Sequence, residues 1–445
     1  MEKNNNFFKT VCNLAIPVAL QSMLQSSFSI IDQIMIGQLG SASIAGVGFA
    51  GKFVSIFSVL IAAIGAVAGI MISQYLGQNN KIKVTQSFHI NLLFCAIIVG
   101  IFSFLCALFP SQIIGLYTKD FAIKQVSTTY LLLITGTFIP LAGATLFSTL
   151  LRCTDNPKLP LYASIISALS NSILNYILIF GKLGLEPMGV KGAAIATVIS
   201  QYVNFLIMLF MMPEKNLIFT APKESNITKT PFDWKQYRSM LLPILACEVA
   251  WSLGENVYAS IYGHMGTDAS AAITLINPIQ GLMIGALCGL AQAASIIIGK
   301  KLGNSEYEDA YITSKKLILY GAIGSITLSI VIILTSSMYV EIYQVGETVK
   351  QLTTQILFAY ALIAPFKVLN MILGGGIIRS GGKTKYVMYI DIIGTWCFGV
   401  PLGLLSAFML NLPIYYVYFI LSLEECIRFG ISLIVFRNKK WMNCL

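Results

Sequence analysis

Hydrophobic residues occur along this 445-residue chain in about twelve long runs, separated by short polar segments. A transmembrane helix needs ~20 consecutive, predominantly apolar residues to cross the hydrocarbon core of a bilayer. The pattern therefore predicts an all-α membrane protein with twelve transmembrane helices. The predicted spans are centred near residues 23, 61, 98, 138, 170, 201, 250, 286, 325, 363, 397 and 424.

The chain contains two related halves, divided by its longest polar segment, residues 213–238, which follows the sixth hydrophobic run. The segment "IGQLGSASIAG" (36–46) is similar to "YGHMGTDASAA" (262–272) in the second half. One constant separation along the chain, here called the repeat offset, relates matching positions of the two halves. A separation maintained over six spans indicates duplication of a six-helix unit. The pairs that show it are Pro17 and Pro243, Gly37 and Gly263, Gly40 and Gly266, and Gly77 and Gly303.

This duplication predicts two six-helix lobes, residues 1–212 and 238–445, joined by a cytoplasmic loop, residues 213–237. Because each unit holds an even number of spans, both units insert into the membrane in the same orientation. A pseudo-twofold axis along the membrane normal then relates the two lobes. Proteins built in this way transport substrates by alternating access around a cavity between the lobes.

The composition agrees with a membrane protein, since 56% of the residues are hydrophobic and only 11% are charged. Soluble domains average about 25% charged residues. The net charge of +10 does not indicate nucleic-acid binding, because the basic residues are spread over many short loops. Of the 29 Lys and Arg residues, 21 lie in the termini and the alternate loops on one predicted side, and five lie in the opposite loops. The positive-inside rule therefore predicts cytoplasmic N- and C-termini and a multi-pass protein of the cytoplasmic (inner) membrane.

Several segments, in this order along the chain, are shared with one known family of membrane transporters. They are "LAIPVALQ" (14–21), "IIDQIMIGQLGSASIAGVG" (30–48), "LLRCTDNPKLP" (150–160), "NSILNYILIFG" (171–181), "GVKGAAIAT" (189–197), "LLPILACEVAWSLGENVYASIYGHMGT" (241–267), "IIRSGGKTKY" (377–386) and "VFRNKKW" (435–441). With them the chain resembles the multidrug and toxic compound extrusion (MATE) family over essentially its whole length. The resemblance implies secondary active efflux of amphipathic, often cationic organic compounds, in antiport with H⁺ or Na⁺. We expect a monomer in the lipid bilayer, with small organic molecules as substrates and no cofactor besides the coupling ion.

Asp32 is an acidic residue within the first span, in the segment "SFSIIDQIMIGQ". A carboxylate at bilayer depth costs at least ~2.5–3.5 kcal/mol on insertion scales, and intramembrane acids usually have a function. In the family the matching residue couples transport to a cation or proton. The alternative for Asp32 is a structural hydrogen bond to a neighbouring helix.

Near Asp32 we expect Asn171 and Asn175 of the fifth span and Thr197 of the sixth. The two asparagines are one helical turn apart and share a face. Their amide oxygens are hard ligands, so Na⁺ at Asp32, Asn171 and Asn175 is one interpretation, and helix–helix hydrogen bonding is the other. Some family members have Asp at the position of Asn175, so the choice between H⁺ and Na⁺ stays open.

Acidic residues of the second half form another candidate site. Glu248 and Glu255 are seven residues apart on the seventh span and share a helix face. Glu248 matches the seventh-span acid of the family. We interpret Glu248, Glu255 and Asp391 as residues of a substrate cavity or of second-lobe coupling. The alternative is a structural role, which for Asp391 is an ion pair with Lys367. In the tenth span the polar residues are Lys367 and Asn370, and an acid is absent there.

The last span contains Glu424 and Glu425, which precede Arg428 by four and three residues. Side chains at these spacings are neighbours on a helix, so the spacing predicts structural ion pairs. A lipid-linked sugar flippase and an exporter of one endogenous metabolite remain alternative functions. An embedded enzyme is disfavoured because the chain has two histidines and lacks an HExxH or GxSxG segment.

Overall fold

Helices account for the regular secondary structure of the residues that the computed structural model describes, which are 2–213, 233–343 and 345–445. The α-helices, labelled in chain order, are α1 (Glu2–Gly37), α2 (Ser41–Gly77), α3 (Lys81–Leu108), α4 (Pro110–Gly115), α5 (Phe121–Ile134), α6 (Phe138–Cys153), α7 (Lys158–Phe180), α8 (Val190–Met211), α9 (Trp234–His264), α10 (Thr267–Gly303), α11 (Tyr307–Glu341), α12 (Glu347–Asn370), α13 (Lys385–Ile392), α14 (Val400–Leu404), α15 (Ile414–Ser422) and α16 (Glu424–Arg437). A single 3₁₀ turn connects α5 to α6.

The starts and turns of several helices follow local side-chain chemistry. Asn80, Asp120 and Asp233 precede helices, and each side chain accepts a hydrogen bond from the backbone N–H three residues later, at 3.1, 3.0 and 2.9 Å. Such capping satisfies amide groups that have no partner inside the helix. The repeated glycines Gly40 and Gly266 lie in the turn after the first helix of each half, with φ of +97° and +114°. Glycine adopts such angles without steric cost, which explains why both repeats have it there.

Eleven stretches of the described residues are long and apolar enough to cross a membrane. The twelfth predicted span, near residue 424, is formed by two shorter helices, α15 and α16, which meet at Leu423. It is less apolar than the others because Glu424, Glu425 and Arg428 are buried within it. With α15 and α16 taken as one span, the chain has the predicted all-α fold of twelve membrane helices in two six-helix lobes.

One compact unit of the chain comprises Leu20–Ile72 and Asn80–Phe232, the latter described as far as Pro213. In this unit α7 and α8 pack along each other. Phe57 stacks on Phe138 in the core, with ring centroids 4.2 Å apart. Both rings are almost inaccessible to solvent, and their stacking joins α2 to α6 in the core of this unit.

The other compact unit comprises Met1–Ala19, Ser73–Asn79 and Asp233–Leu445. Its core lies where α10 packs against α11 and α12. The tenth and eleventh spans of this unit are interrupted by π-helical turns, which are wider than α-helical ones and are frequent at functional sites. The π-helical segments are Met371–Ile378, Ile393–Gly399 and Leu405–Met409.

Within this second unit the last turns of α2 and α10 cross at glycine residues. A Cβ atom on Gly77 would overlap the backbone carbonyl of Lys300, and one on Gly303 would overlap the backbone carbonyl of Gln74. The repeat offset relates Gly77 to Gly303 and Gln74 to Lys300. The contact is therefore reciprocal, because the same two repeat positions meet in both directions. Gln74 is fully buried, and its Nε2 donates to the carbonyl of Ser380 at 2.7 Å.

The last residues of the chain pack over this crossing. Trp441 is fully buried and stacks on Phe436 with ring centroids 5.8 Å apart. The backbone N–H of Leu445 donates to Gln74 Oε1 at 2.8 Å, and Gln78 Nε2 donates to the Leu445 carbonyl at 2.7 Å. The end of α2 is thus held by helix–helix contact and by side-chain hydrogen bonds.

The predicted lobe boundaries lie close to residues outside the described part of the chain. Helix α9 begins at Trp234, inside the segment 213–237 that was assigned to a cytoplasmic loop. Most of that segment, residues 214–232, lies outside the described residues. The boundaries at 212 and 238, and the location of the loop, stay predictions.

Replacing Gly303 by Ala should destabilise the protein by ~1–3 kcal/mol, because the added methyl group fits only if α2 and α10 move apart. Thermal unfolding of the purified protein measures the effect. Gly100→Ala on α3 is the matched control, since a Cβ there meets nothing within 4 Å. Equal unfolding temperatures for the two variants would show that the crossing is not tightly packed.

Candidate functional site

Asp32 lies in a chain of hydrogen bonds that contains all four residues predicted for the coupling site. Asn175 Nδ2 donates to Asp32 Oδ1 at 2.5 Å and lies 3.2 Å from Asn171 Oδ1. Asn171 Nδ2 in turn donates to Thr197 Oγ1 at 3.4 Å. Asp32 is half-buried on α1, whereas both asparagines are buried on α7. The structure therefore brings together side chains from α1, α7 and α8.

A second polar contact holds α1 in register with α7. Gln21 Nε2 donates to Ser164 Oγ at 2.8 Å, and Gln21 Oε1 accepts from Arg152 Nη2 at 2.8 Å. Gln21 precedes Asp32 by about three helical turns on α1, so both residues face the same neighbouring helix. These contacts orient the α1 face that carries the carboxylate.

The partners of Asp32 are neutral. Among the described residues, no Lys, Arg or His side chain makes an ion pair with Asp32. In addition, Asn175 Oδ1 is buried and accepts no hydrogen bond from the described groups. A buried acceptor without a donor is costly. The site thus presents one negative charge and one unpaired amide oxygen, a donor set that fits either a proton or Na⁺.

Two of the three acidic residues predicted for the second-half site differ from Asp32, because an arginine side chain lies near each of them. Glu248 Oε1 lies 3.9 Å from Arg379 Nη2. Asp391 Oδ1 lies 3.8 Å from Arg428 Nη1, and Asp391 Oδ2 accepts from Cys247 Sγ at 2.7 Å. Both acids line a cavity of about 390 Å³ in this unit.

Arg428 on α16 is buried and neutralises several carboxylates at once. Its guanidinium lies 3.8 Å from Glu424 and 3.7 Å from Glu425, as the spacing in the sequence predicts. Asp391 is the third carboxylate in contact with it. The guanidinium also donates to Thr395 Oγ1.

Glu255, the third acidic residue predicted for this site, has a different environment from Glu248, although both residues lie on α9. It is exposed and makes no ion pair with any described residue. It lines a second cavity together with Glu424, Glu425 and Lys367, and the last two of these residues also line the first cavity. The structure therefore places Glu248 and Asp391 on one cavity and Glu255 on the cavity next to it.

The MatE family model matches residues 17–177 and 243–405, two segments whose first residues are related by the repeat offset. The two matched segments together cover more than half of the chain. The chain belongs to the MatE family. The family comprises membrane transporters rather than enzymes, and the protein is accordingly a multi-pass membrane protein.

Relatives of this MatE protein come from bacteria and animals. It is 22% identical over 441 residues to "Probable multidrug resistance protein NorM" of Thermotoga maritima, covering 97% of this chain and 93% of that protein. It is 24% identical over 411 residues to "Multidrug and toxin extrusion protein 1" of Danio rerio, covering 90% of this chain and 67% of that protein. Its fold is similar to that of a mutant of the Vibrio cholerae MATE transporter VcmN, with a TM-score of 0.90, 17% identity and 98% of each chain covered. Two of these relatives are named for multidrug resistance or for multidrug and toxin extrusion.

Sequence reasoning missed three residues of the second-half network. Arg379 could have been found from the sequence, because it matches Arg152 in the other half when the repeat offset is shifted by one position. No feature of the sequence marks Cys247 or Thr395, since a cysteine and a threonine in apolar spans are ordinarily packing residues. Their contacts with Asp391 and Arg428 join distant parts of this MatE sequence and depend on the fold.

Replacing Arg428 by Met should destabilise this protein by ~3–5 kcal/mol, because the buried Glu424 and Glu425 and the half-buried Asp391 would lose their common counter-charge. Thermal unfolding in detergent measures the loss. Arg437→Met is the matched control, since Arg437 is exposed at the end of the same helix. Changing Glu424 and Glu425 to Gln in the Arg428→Met protein should restore part of the stability, and no recovery would argue against charge compensation.

Proposed function

We propose that this MatE chain is a multidrug exporter in which the entry of H⁺ or Na⁺ at Asp32 drives the export of amphipathic, often cationic organic compounds. The observation that carries the proposal is a difference in charge compensation. Glu248, Asp391, Glu424 and Glu425 each lie within 3.9 Å of an arginine. Asp32 has an amide as its hydrogen-bond donor instead. A mobile cation is the counter-charge that this carboxylate lacks.

The hydrogen bonds around Asp32 suggest how cation binding changes the packing of α1. In the ionised state Asp32 accepts from Asn175 Nδ2, and Asn175 Oδ1 accepts from none of the groups that the structure describes. A proton on Asp32 would supply that donor. Na⁺ would instead draw in the oxygens of Asp32, Asn175 and Asn171. Either event alters the bonds between α1 and α7 and shifts the population of states that expose the substrate site.

Asp32→Asn should insert and fold normally, because the amide has the same size, and should lose gradient-driven export. The measurement is efflux of a fluorescent organic cation from liposomes, with Na⁺ and pH gradients imposed separately. Asp120→Asn is the matched control, since Asp120 caps α5 and Asn caps helices equally well. Asp32→Asn protein that transports at the normal rate, with the same ion dependence, would show that Asp32 has only a structural role.

We further propose a cytoplasmic membrane location with both termini in the cytoplasm. Lys158, at the start of α7, would then be cytoplasmic, and Glu186, in the loop after α7, would be external. Both side chains are exposed. In a cysteine-free background, Glu186→Cys should react with an impermeant thiol reagent in intact cells, whereas Lys158→Cys should react only after lysis. The reverse result would invert the orientation.

A further inference from the structure

Two lysines of the second unit, Lys315 on α11 and Lys439 just after α16, lie over the same aromatic ring. Each Nζ atom is 4.6 Å from the ring centroid of Tyr311. The two nitrogens are therefore at most twice that distance apart. The ring is held in place, because it stacks on Phe436 with centroids 4.8 Å apart and Phe436 stacks on the buried Trp441. We call Lys315 and Lys439 the lysine pair.

The positive charge of the lysine pair is only partly compensated. Lys439 Nζ donates to Glu308 Oε1 at 2.8 Å, and this carboxylate is largely exposed. Within the described part of the chain, Lys315 makes no ion pair. Arg437 and Lys440 lie within two residues of Lys439, and both are exposed. Because like charges repel, an anion beside this cluster would be stabilised.

The lysine pair lies at the depth of the lipid headgroups. After Lys316, helix α11 has no charged residue as far as Val340. This uncharged stretch is longer than the ~20 residues that a transmembrane span needs. Lys315 therefore marks the membrane boundary of α11, and Lys439 lies at the same level because both contact Tyr311.

An apolar stripe continues from Lys315 along the same face of α11. Leu319, Ile323, Ile326 and Ile330 follow at intervals of three or four residues, and each side chain is more than half exposed. At ~1.5 Å per residue the stripe is about 16 Å long, roughly half of the ~30 Å hydrocarbon core. Its length therefore matches the acyl chain of a lipid in one leaflet.

We propose that the lysine pair and this stripe bind one phospholipid with a net negative headgroup. The lipid phosphate lies beside both ammonium groups, and an acyl chain covers the stripe. Lysine binds phosphate as a point charge, and basic residues next to a transmembrane helix attract anionic lipids. The site shares no residue with the Asp32 site or with the two cavities of the second unit. It is thus independent of the transport function proposed above.

The backbone of Lys439 gives separate support for a role of its ammonium group. Its φ is +54°, in the left-handed region that favours glycine. The chain has a lysine there nonetheless, and the side chain of that lysine reaches the ring of Tyr311.

The test is native mass spectrometry of the purified, delipidated protein in detergent, which gives the dissociation constant of the first bound lipid. Phosphatidylglycerol should bind about fivefold more tightly than phosphatidylcholine with the same acyl chains. Lys315→Gln and Lys439→Gln should each weaken phosphatidylglycerol binding about fivefold, the effect of one surface lysine, and leave phosphatidylcholine binding unchanged. Equal affinity for the two lipids, or an equal loss for both in the variants, would overturn the proposal.

Lys182→Gln is the matched control. Lys182 is exposed, and its Nζ lies 6.0 Å from the ring centroid of Tyr176 in the other unit. This lysine also lies over a tyrosine ring but is not part of the proposed site, so its replacement should leave phosphatidylglycerol binding unchanged. A loss as large as that in Lys315→Gln would show a general effect of surface charge and refute the site.

Two further measurements separate the lipid from a soluble phosphate compound, and charge from folding. Glycerol 3-phosphate has the phosphate but no acyl chain, so it should not displace phosphatidylglycerol at equal concentration. Displacement would assign the lysine pair to a soluble ligand and overturn the lipid site. Lys439→Gly should unfold at the same temperature or higher, because glycine suits the backbone there, yet bind phosphatidylglycerol as weakly as Lys439→Gln does. Normal binding by Lys439→Gly protein would show that the ammonium group is not used.

Discussion

A charge buried in a membrane protein must be neutralised, and this constraint explains most of the polar architecture of the chain. In the second unit the counter-charges are covalently part of the protein, since Arg428 contacts three carboxylates and Arg379 lies beside Glu248. These counter-charges hold the carboxylates in the arrangement in which the helices pack. Asp32 differs because its neighbours are amides and a hydroxyl. In the function that we propose, a cation from outside the protein neutralises Asp32, and this would make a reversible response to ion gradients possible.

The two repeats therefore share a fold but differ in their charge chemistry. By the repeat offset, the counterpart of Asp32 is Tyr258. One repeat has a carboxylate there, and the other has a phenol that donates to Glu424 on α16. Gly399 keeps the space for this contact, because a Cβ at that position would overlap both Tyr258 Oη and the Glu424 carboxylate. Duplication supplied two related scaffolds, and substitution at matching positions gave one of them a carboxylate with amide partners and the other an ionic cluster.

Periodicity and repetition were sufficient to predict the membrane helices, because hydrophobic length is a local property of the sequence. They did not predict the break at Leu423 or the π-helical turns, which depend on how buried charges and close-packed glycines fit their neighbours. For the site, the i,i+4 spacing of Asn171 and Asn175 was informative, as was the spacing of Glu424 and Arg428. The contact of Arg428 with Asp391 joins separate helices, and the different environments of Glu248 and Glu255 depend on packing. Neither can be obtained from spacing alone.

The reciprocal crossing of α2 and α10 also bears on the origin of the protein. A contact in which position 74 meets 303 while 77 meets 300 is isologous, the kind that joins identical subunits across a twofold axis. An ancestral protein of six helices would form a homodimer through this same pair of glycines. Fusion of its two copies converts an association that depends on protein concentration into an intramolecular one. Each copy is then free to change without disrupting its own partner, and Gln74 and Lys300 have already become different residues at the same place.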